Sequence, residues 1–226
     1  MPLLLKHEQV AWAAGHGALA GLDEAGRGPL AGPVVAAAIH IDRELLEAEA
    51  EGRFAGINDS KQVTPARRAS FFSLLTTDPR IRFGVGRAGV EEIDRLNILR
   101  ATHLAMARAL QDLKVRVDLV LVDGLPVPGL PFPSRALVKG DAQSLLIAAA
   151  SIIAKVTRDR EMEELDRPFP GYGFAAHKGY GTAAHLAALR RLGPSPHHRL
   201  SFAPVAEASS RFQVPRSRPE DSSTLF

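Results

Sequence analysis

Asp23 and Glu24 stand side by side at the end of a short apolar stretch, and Gly26-Arg27-Gly28 follows them almost at once. Neighbouring carboxylates repel and raise one another's pKa unless a cation sits between them. The two glycines let backbone amides approach a ligand closely on either side of the guanidinium. Carboxylates, bare amides and an arginine in this order point to phosphate chemistry supported by a metal. Two further acids close predicted strands: Asp123 after Val-Leu-Val and Asp141 after Val-Lys-Gly. Taken singly, each has an ordinary explanation, since Asp-Gly is a turn signal and Asp141 can N-cap a following helix. Strand ends are nevertheless where α/β sheets build their sites. Four acids on one rim make a hard oxygen site suited to Mg²⁺ or Mn²⁺, which in pairs activate water and stabilise the leaving oxygen of a phosphodiester. Acid/base work by two carboxylates on a sugar bond is the alternative on residue type alone, and Gly-Arg-Gly argues against it because guanidinium and amides are phosphate and hydroxyl contacts.

Two smaller groups extend the set. Asn58-Asp-Ser60-Lys61 offers a hydroxyl and an ammonium in a turn, and an Asx turn with a solvated lysine is the plain reading of the same four residues. His177, Lys178 and Tyr180 are crowded between glycines outside any predicted regular element. A tyrosine ring there can stack on a sugar or base, although a core tyrosine with a satisfied hydroxyl is the common alternative.

The elements that must position these residues read as an α/β layer architecture. Apolar runs predict strands at about 18–23, 33–41, 81–87, 117–122 and 135–139. Thr64-Pro65 opens a helix over 65–76, with the threonine as N-cap and the proline at the first helical position. Longer helical patterns cover 91–113 and 142–165, the second with an apolar face and with Lys155, Arg158 and Asp159 on its other side; another covers 182–192. Four prolines make 124–134 a surface loop beside Asp123. Residues 1–205 are expected to form one catalytic body, and 206–226, poor in large apolar residues, a flexible tail.

Composition narrows the classes. Hydrophobic residues make up 46% of the chain, enough for a sizeable core, and there is no cysteine. Disulfides, thiolate zinc sites and cysteine nucleophiles are therefore excluded, which fits a reducing cytoplasm. No stretch approaches the roughly 18 uninterrupted apolar residues of a membrane span, and no leader pattern opens the chain, so a soluble, unexported protein is expected. A net charge of +3 with pI near 9.5 permits a polyanionic partner without by itself indicating one.

Together these residues closely resemble the ribonuclease HII family. The matching pieces are Gly21-Leu-Asp-Glu-Ala-Gly-Arg-Gly-Pro-Leu-Ala-Gly-Pro-Val34, Asn58-Asp-Ser-Lys61, Ile93-Asp-Arg-Leu-Asn97, Val122-Asp-Gly124, Lys139-Gly-Asp141, Ala149-Ala-Ser-Ile-Ile-Ala-Lys-Val-Thr-Arg-Asp159 and His177-Lys-Gly-Tyr-Gly-Thr182, in the family's order. The resemblance implies an RNase H-like mixed sheet flanked by helices, with a small helical C-terminal part at about 166–205. It implies a metal-dependent endonuclease that cuts the RNA strand of RNA/DNA hybrids, and also duplex DNA 5′ to a single embedded ribonucleotide, leaving 5′-phosphate and 3′-hydroxyl. By position, Asp23, Glu24, Asp123 and Asp141 match the family's four carboxylates, expected to hold two Mg²⁺ or Mn²⁺ ions. Gly26, Arg27 and Gly28 match the loop that senses the ribose 2′-hydroxyl, the one group separating RNA from DNA at a given step. Tyr180 matches the tyrosine that stacks on the following deoxyribose, and Ser60 and Lys61 are further substrate contacts. The last residues, 222–226, weakly resemble the C-terminal peptides with which some replication proteins bind the sliding clamp, without the usual glutamine. A hybrid-binding module without turnover and a junction resolvase on the same fold are the competing readings.

Overall fold

The computed structural model describes residues 5–212. The chain runs through α1 (Lys6–Ala13), β1 (Leu19–Ala25), β2 (Val34–Ile41), α2 (Arg43–Glu49), α3 (Pro65–Thr77), β3 (Ile81–Ala88), α4 (Val90–Leu96), α5 (Ile98–Asp112), β4 (Leu119–Asp123), β5 (Ser134–Leu137), α6 (Leu145–Asp166), α7 (Phe174–His177), α8 (Ala183–Leu192) and α9 (Ala203–Arg211). Strand order is β3-β2-β1-β4-β5: β1, β2 and β3 form an antiparallel meander, while β4 and β5 add in parallel beside β1.

Alternation along the strands sorts the residues between two cores. Leu19 on β1 and Leu119 and Leu121 on β4 pack towards α6 with Ile39, Leu146 and Ile153. Ala20, Leu22, Val120 and Val122 pack on the other face against Ala105, Ala109 and Leu110 of α5. The period of two therefore sends Gly21, Asp23 and Asp123 to the α6 face. Gly21 has no side chain to lie between β1 and α6, and an added Cβ would sit inside contact distance of the Leu146 carbonyl. That close approach brings the start of α6 down onto the strand ends. Ser144 caps α6, its Oγ accepting the Ile147 N–H at 3.2 Å and donating to Glu8 of α1 at 2.6 Å. Glu8 is fully buried, also accepts the Leu146 N–H at 3.1 Å, and has its pKa raised by that burial.

Several expectations need correction. The helix expected over 91–113 is two, because Asn97 takes a left-handed φ of 69° and its side chain accepts the Arg100 N–H to start α5 afresh. Asp141 does not cap the long helix; it lies in a 3-10 turn, Gly140–Ala142, and Ser144 takes the cap. Arg158, assigned to the polar side of that helix, is 1% exposed. His177 lies within the short helix α7. Residues 206–211, expected to belong to a flexible tail, lie instead in α9, whose Val205 and Ala208 are buried with Leu30 and Leu189. Residues 222–226, with their clamp-like pattern, lie outside the described residues. No described helix is long and apolar enough to cross a membrane.

Candidate active site

Parallel pairing of Leu22 with Val122 places Asp23 and Asp123 next to one another at the carboxyl ends of adjacent strands, on one face. Asp141 arrives from the 3-10 turn, which is pinned to the same place because Asp123 Oδ1 accepts the Gly140 N–H at 2.6 Å. Asp23, Asp123 and Asp141 each put an oxygen within 4.8 Å of the others. Glu24 stands beside that group: its charge raises Asp23 and the charge of Asp123 raises it in turn, while its Oε1 accepts from Arg27 Nη1 at 3.1 Å.

The cluster is electrostatically crowded. Burial, then the charges of Glu24 and Asp123, holds Asp23 well above the usual carboxylate range. Asp141 is raised by burial, by Asp123 and by Asp59, with Lys61 opposing. Arg27 engages Glu24 rather than the three aspartates. Such a set of hard oxygen donors fits a divalent cation, whose charge offsets repulsion and desolvation together.

Around the acids lie the other expected residues. The Asn58–Lys61 segment is an Asx turn, with Asp59 Oδ1 accepting the Lys61 N–H at 2.9 Å, and it also borders the cluster, because Lys61 lowers the pKa of both Glu24 and Asp141. Ser60 is buried, its N–H donating to Ser151 Oγ at 3.3 Å. Gly26 has φ 92°, and a Cβ there would strike the Arg158 guanidinium. The carbonyls of Gly26 and Arg27 each accept a hydrogen bond from Arg199, at 2.6 and 2.8 Å. Among the described residues the Arg27 and Gly28 N–H groups have no hydrogen-bond partner. Tyr180 is 40% exposed, with its ring edge 4.0 Å from the position a Gly28 Cβ would occupy.

Three buried residues beneath this surface were not singled out for function in the sequence: Arg199, His185 and His198. Ser195 N–H donates to His198 Nδ1 at 2.9 Å, which puts the His198 proton on Nε2. That nitrogen donates to His185 Nε2 at 3.0 Å, and His185 Nδ1 donates in turn to the Tyr180 carbonyl at 2.9 Å. Each ring is neutral in this relay. Burial foremost, then the neighbouring His185, pushes His198 down to about 3, and burial lowers His185. Because the unfolded chain takes up these protons first, acid favours unfolding between the ordinary histidine range and the lowered value. The loss of unfolding free energy on going from pH 7 to pH 5 is expected to shrink by about 2 kcal/mol in His198→Asn. Urea unfolding at the two pH values checks this, and an unaltered difference would refute it.

The sequence model of the family described as Ribonuclease HII matches residues 20–205. Ribonuclease HII of Rhodospirillum rubrum is 55% identical over 199 residues, covering 88% of this chain and 90% of that protein. The crystal structure of ribonuclease H2 from Pyrococcus horikoshii OT3 superimposes with a TM-score of 0.71 at 30% identity, covering 87% of this chain and 99% of that one. RNase HII in the PCNA:RNase HII complex from Archaeoglobus fulgidus gives 0.66 at 27% identity, covering 82% and 95%. With the mixed five-stranded sheet and the acidic strand ends already in place, this chain belongs to the ribonuclease HII family, endonucleases of the type 2 ribonuclease H class.

Proposed function

We propose that the protein cuts the RNA strand of RNA/DNA hybrids and cleaves duplex DNA 5′ to single embedded ribonucleotides. The observation that carries this reading is the meeting of Asp23, Asp123 and Asp141 within 4.8 Å beside the Gly26-Arg27-Gly28 loop and Tyr180. The three aspartates would hold the metal, Mg²⁺ or Mn²⁺, with Glu24 as the fourth carboxylate of the set. Bound divalent cations supply Lewis acidity and a deprotonated water for attack at phosphorus.

The chain's own residues do the rest. The Arg27 and Gly28 amides are the loop's donors for the ribose 2′-hydroxyl, and Tyr180 packs on the sugar that follows. Lys61 places positive charge beside the acids, where the scissile phosphate must come. Ser60 is the second contact in that turn. Water adds to phosphorus as the bond to the 3′-oxygen breaks, and the 3′-oxygen takes a proton, leaving 5′-phosphate and 3′-hydroxyl. Removal of misincorporated ribonucleotides in the cytoplasm is the role this selectivity suits. The Archaeoglobus neighbour was solved with PCNA, and contact of residues 222–226 with a sliding clamp is the corresponding proposal here.

Incubating the protein and Mg²⁺ or Mn²⁺ with a duplex carrying one ribonucleotide tests the activity. A single cut 5′ to that ribonucleotide, with a ligatable 3′-hydroxyl, is the expected result. Retention of the duplex without cleavage would favour a hybrid-binding module, and cutting only at branched DNA a resolvase.

A further inference from the structure

Arg158 and Arg199 are among the most deeply buried side chains, at 1% and 0% exposure, and among the described residues neither forms an ion pair. Their polar contacts are all to backbone carbonyls. Arg199 donates from Nη2 to Gly26 O at 2.6 Å, from Nη1 to Arg27 O at 2.8 Å and from Nε to Gly32 O at 3.0 Å. Arg158 donates from Nε to Pro33 O at 3.0 Å, from Nη2 to Ala31 O at 3.1 Å and from Nη1 to Lys178 O at 3.0 Å. The two charges also feel one another, and burial with that repulsion brings Arg199 down to about 9.

A pair of like charges buried without an ion-pair partner in contact is a poor way to gain stability, because desolvation is costly and apolar side chains of similar volume often serve as well. What the arrangement does supply is geometry. The planar forks bind carbonyls of the Gly26–Pro33 stretch on one side and of the Lys178–Tyr180 stretch on the other. Those stretches also meet directly, where Leu30 N–H donates to Gly179 O at 2.8 Å. Arg199 itself is anchored from behind, since Asp94 accepts the N–H groups of Leu200 and Ser201, both at 2.9 Å.

We infer that Arg158 and Arg199 are positioning residues for ribose recognition: their guanidiniums fix the Gly26-Arg27-Gly28 loop and Tyr180 at one spacing, so that both grip the same ribonucleotide junction. The inference rests on the substrate reading proposed above. It assigns selectivity to two side chains that touch no substrate. Displacement of a contact by about 1 Å can cost on the order of a hundredfold in rate, so loosening the forks is felt where both contacts are needed. A lone ribonucleotide in DNA needs both; a long hybrid, without the junction, depends less on Tyr180.

The test compares the full-length protein with Arg199→Lys, Tyr180→Ala and the double variant on a single-ribonucleotide duplex and on a long hybrid. Lysine keeps the charge but has no planar fork, so the variant probes position rather than field. Arg199→Lys is expected to lower kcat/KM on the single-ribonucleotide duplex at least about tenfold more than on the hybrid, with the loss in kcat. In the double variant the ratio between substrates should match that of Tyr180→Ala alone. Equal losses on both substrates, or multiplied effects in the double variant, would overturn the inference. Should Arg199→Lys melt too low to assay, Arg158→Lys answers the same question through Lys178. If Tyr180→Ala itself leaves the substrate ratio as it was, the substrate reading fails, and the inference goes with it.

Discussion

Asp23→Asn is expected to lower cleavage about a thousandfold or more while raising the melting temperature of the metal-free protein. Asp23 is 6% exposed, and burial together with Glu24 and Asp123 raises its pKa. In metal-free protein the folded state therefore binds a proton more tightly than the unfolded chain does, and stability falls as pH rises above the ordinary carboxylate value of 3.8. The deficit grows with pH until the folded-state carboxyl has lost its proton as well. Asparagine carries no charge to desolvate, and its carbonyl can keep the hydrogen bond that Asp23 Oδ1 accepts from Glu24 N–H at 2.6 Å. Removing the charge relieves that desolvation and repulsion, so a higher melting temperature is expected with chelator present. Added Mg²⁺ or Mn²⁺ should reverse the order, because only the native site gains binding energy from the ion. Thermal melts with and without metal, beside the cleavage assay, check all three parts. A variant that cleaves normally would remove Asp23 from the site.

Gly21→Ala acts on the same site through the fold. A methyl group at position 21 points into the backbone of α6 at Leu146 and Ile147, where no flexible side chain can yield. Strand and helix must part, at a cost of about 3 kcal/mol or more, the upper end of what overpacking brings. Because Asp23 lies two residues along the strand and Asp141 just before the helix, the remaining folded protein should also cleave more slowly. Urea unfolding gives the first effect, and activity corrected for folded fraction gives the second. A variant as stable as the native chain would mean that α6 does not rest on Gly21.

The same packing explains which parts of the molecule were legible from sequence. Strands β1, β2 and β4 carry nearly unbroken apolar runs because both faces are covered by helices, and their limits were read within a few residues. The acids at their ends were readable for the same reason, since a carboxylate after Val-Leu-Val needs an explanation. Short helices were harder. α2 and α9 have seven and nine residues, and a run that brief gives little periodicity to read. The break at Asn97 was missed because the apolar pattern continues across it while the backbone does not.

Arg158 was misplaced because charge normally marks an exposed face; only the fold brings the carbonyls of residues 31, 33 and 178 to one point and makes burial tolerable. Arg199 escaped notice on similar grounds, its partners lying in a distant segment, and the His185–His198 relay because two lone histidines thirteen positions apart carry no recognisable spacing. Glu24 was read from adjacency to Asp23, and its charge does act on Asp23, while what the sequence did not show is the Arg27 guanidinium that also pairs with it.

Parallel pairing of β1 with β4 joins Leu19 to Leu119 across one hundred positions of chain. The meander of β1, β2 and β3 can form from local hairpins, but this contact requires closing a long loop, the kind of step that slows folding. On a ribosome, the acidic centre therefore cannot exist until β4 and the turn bearing Asp141 have emerged. A chain released before that point carries the first two carboxylates without the other two, and has no acidic centre.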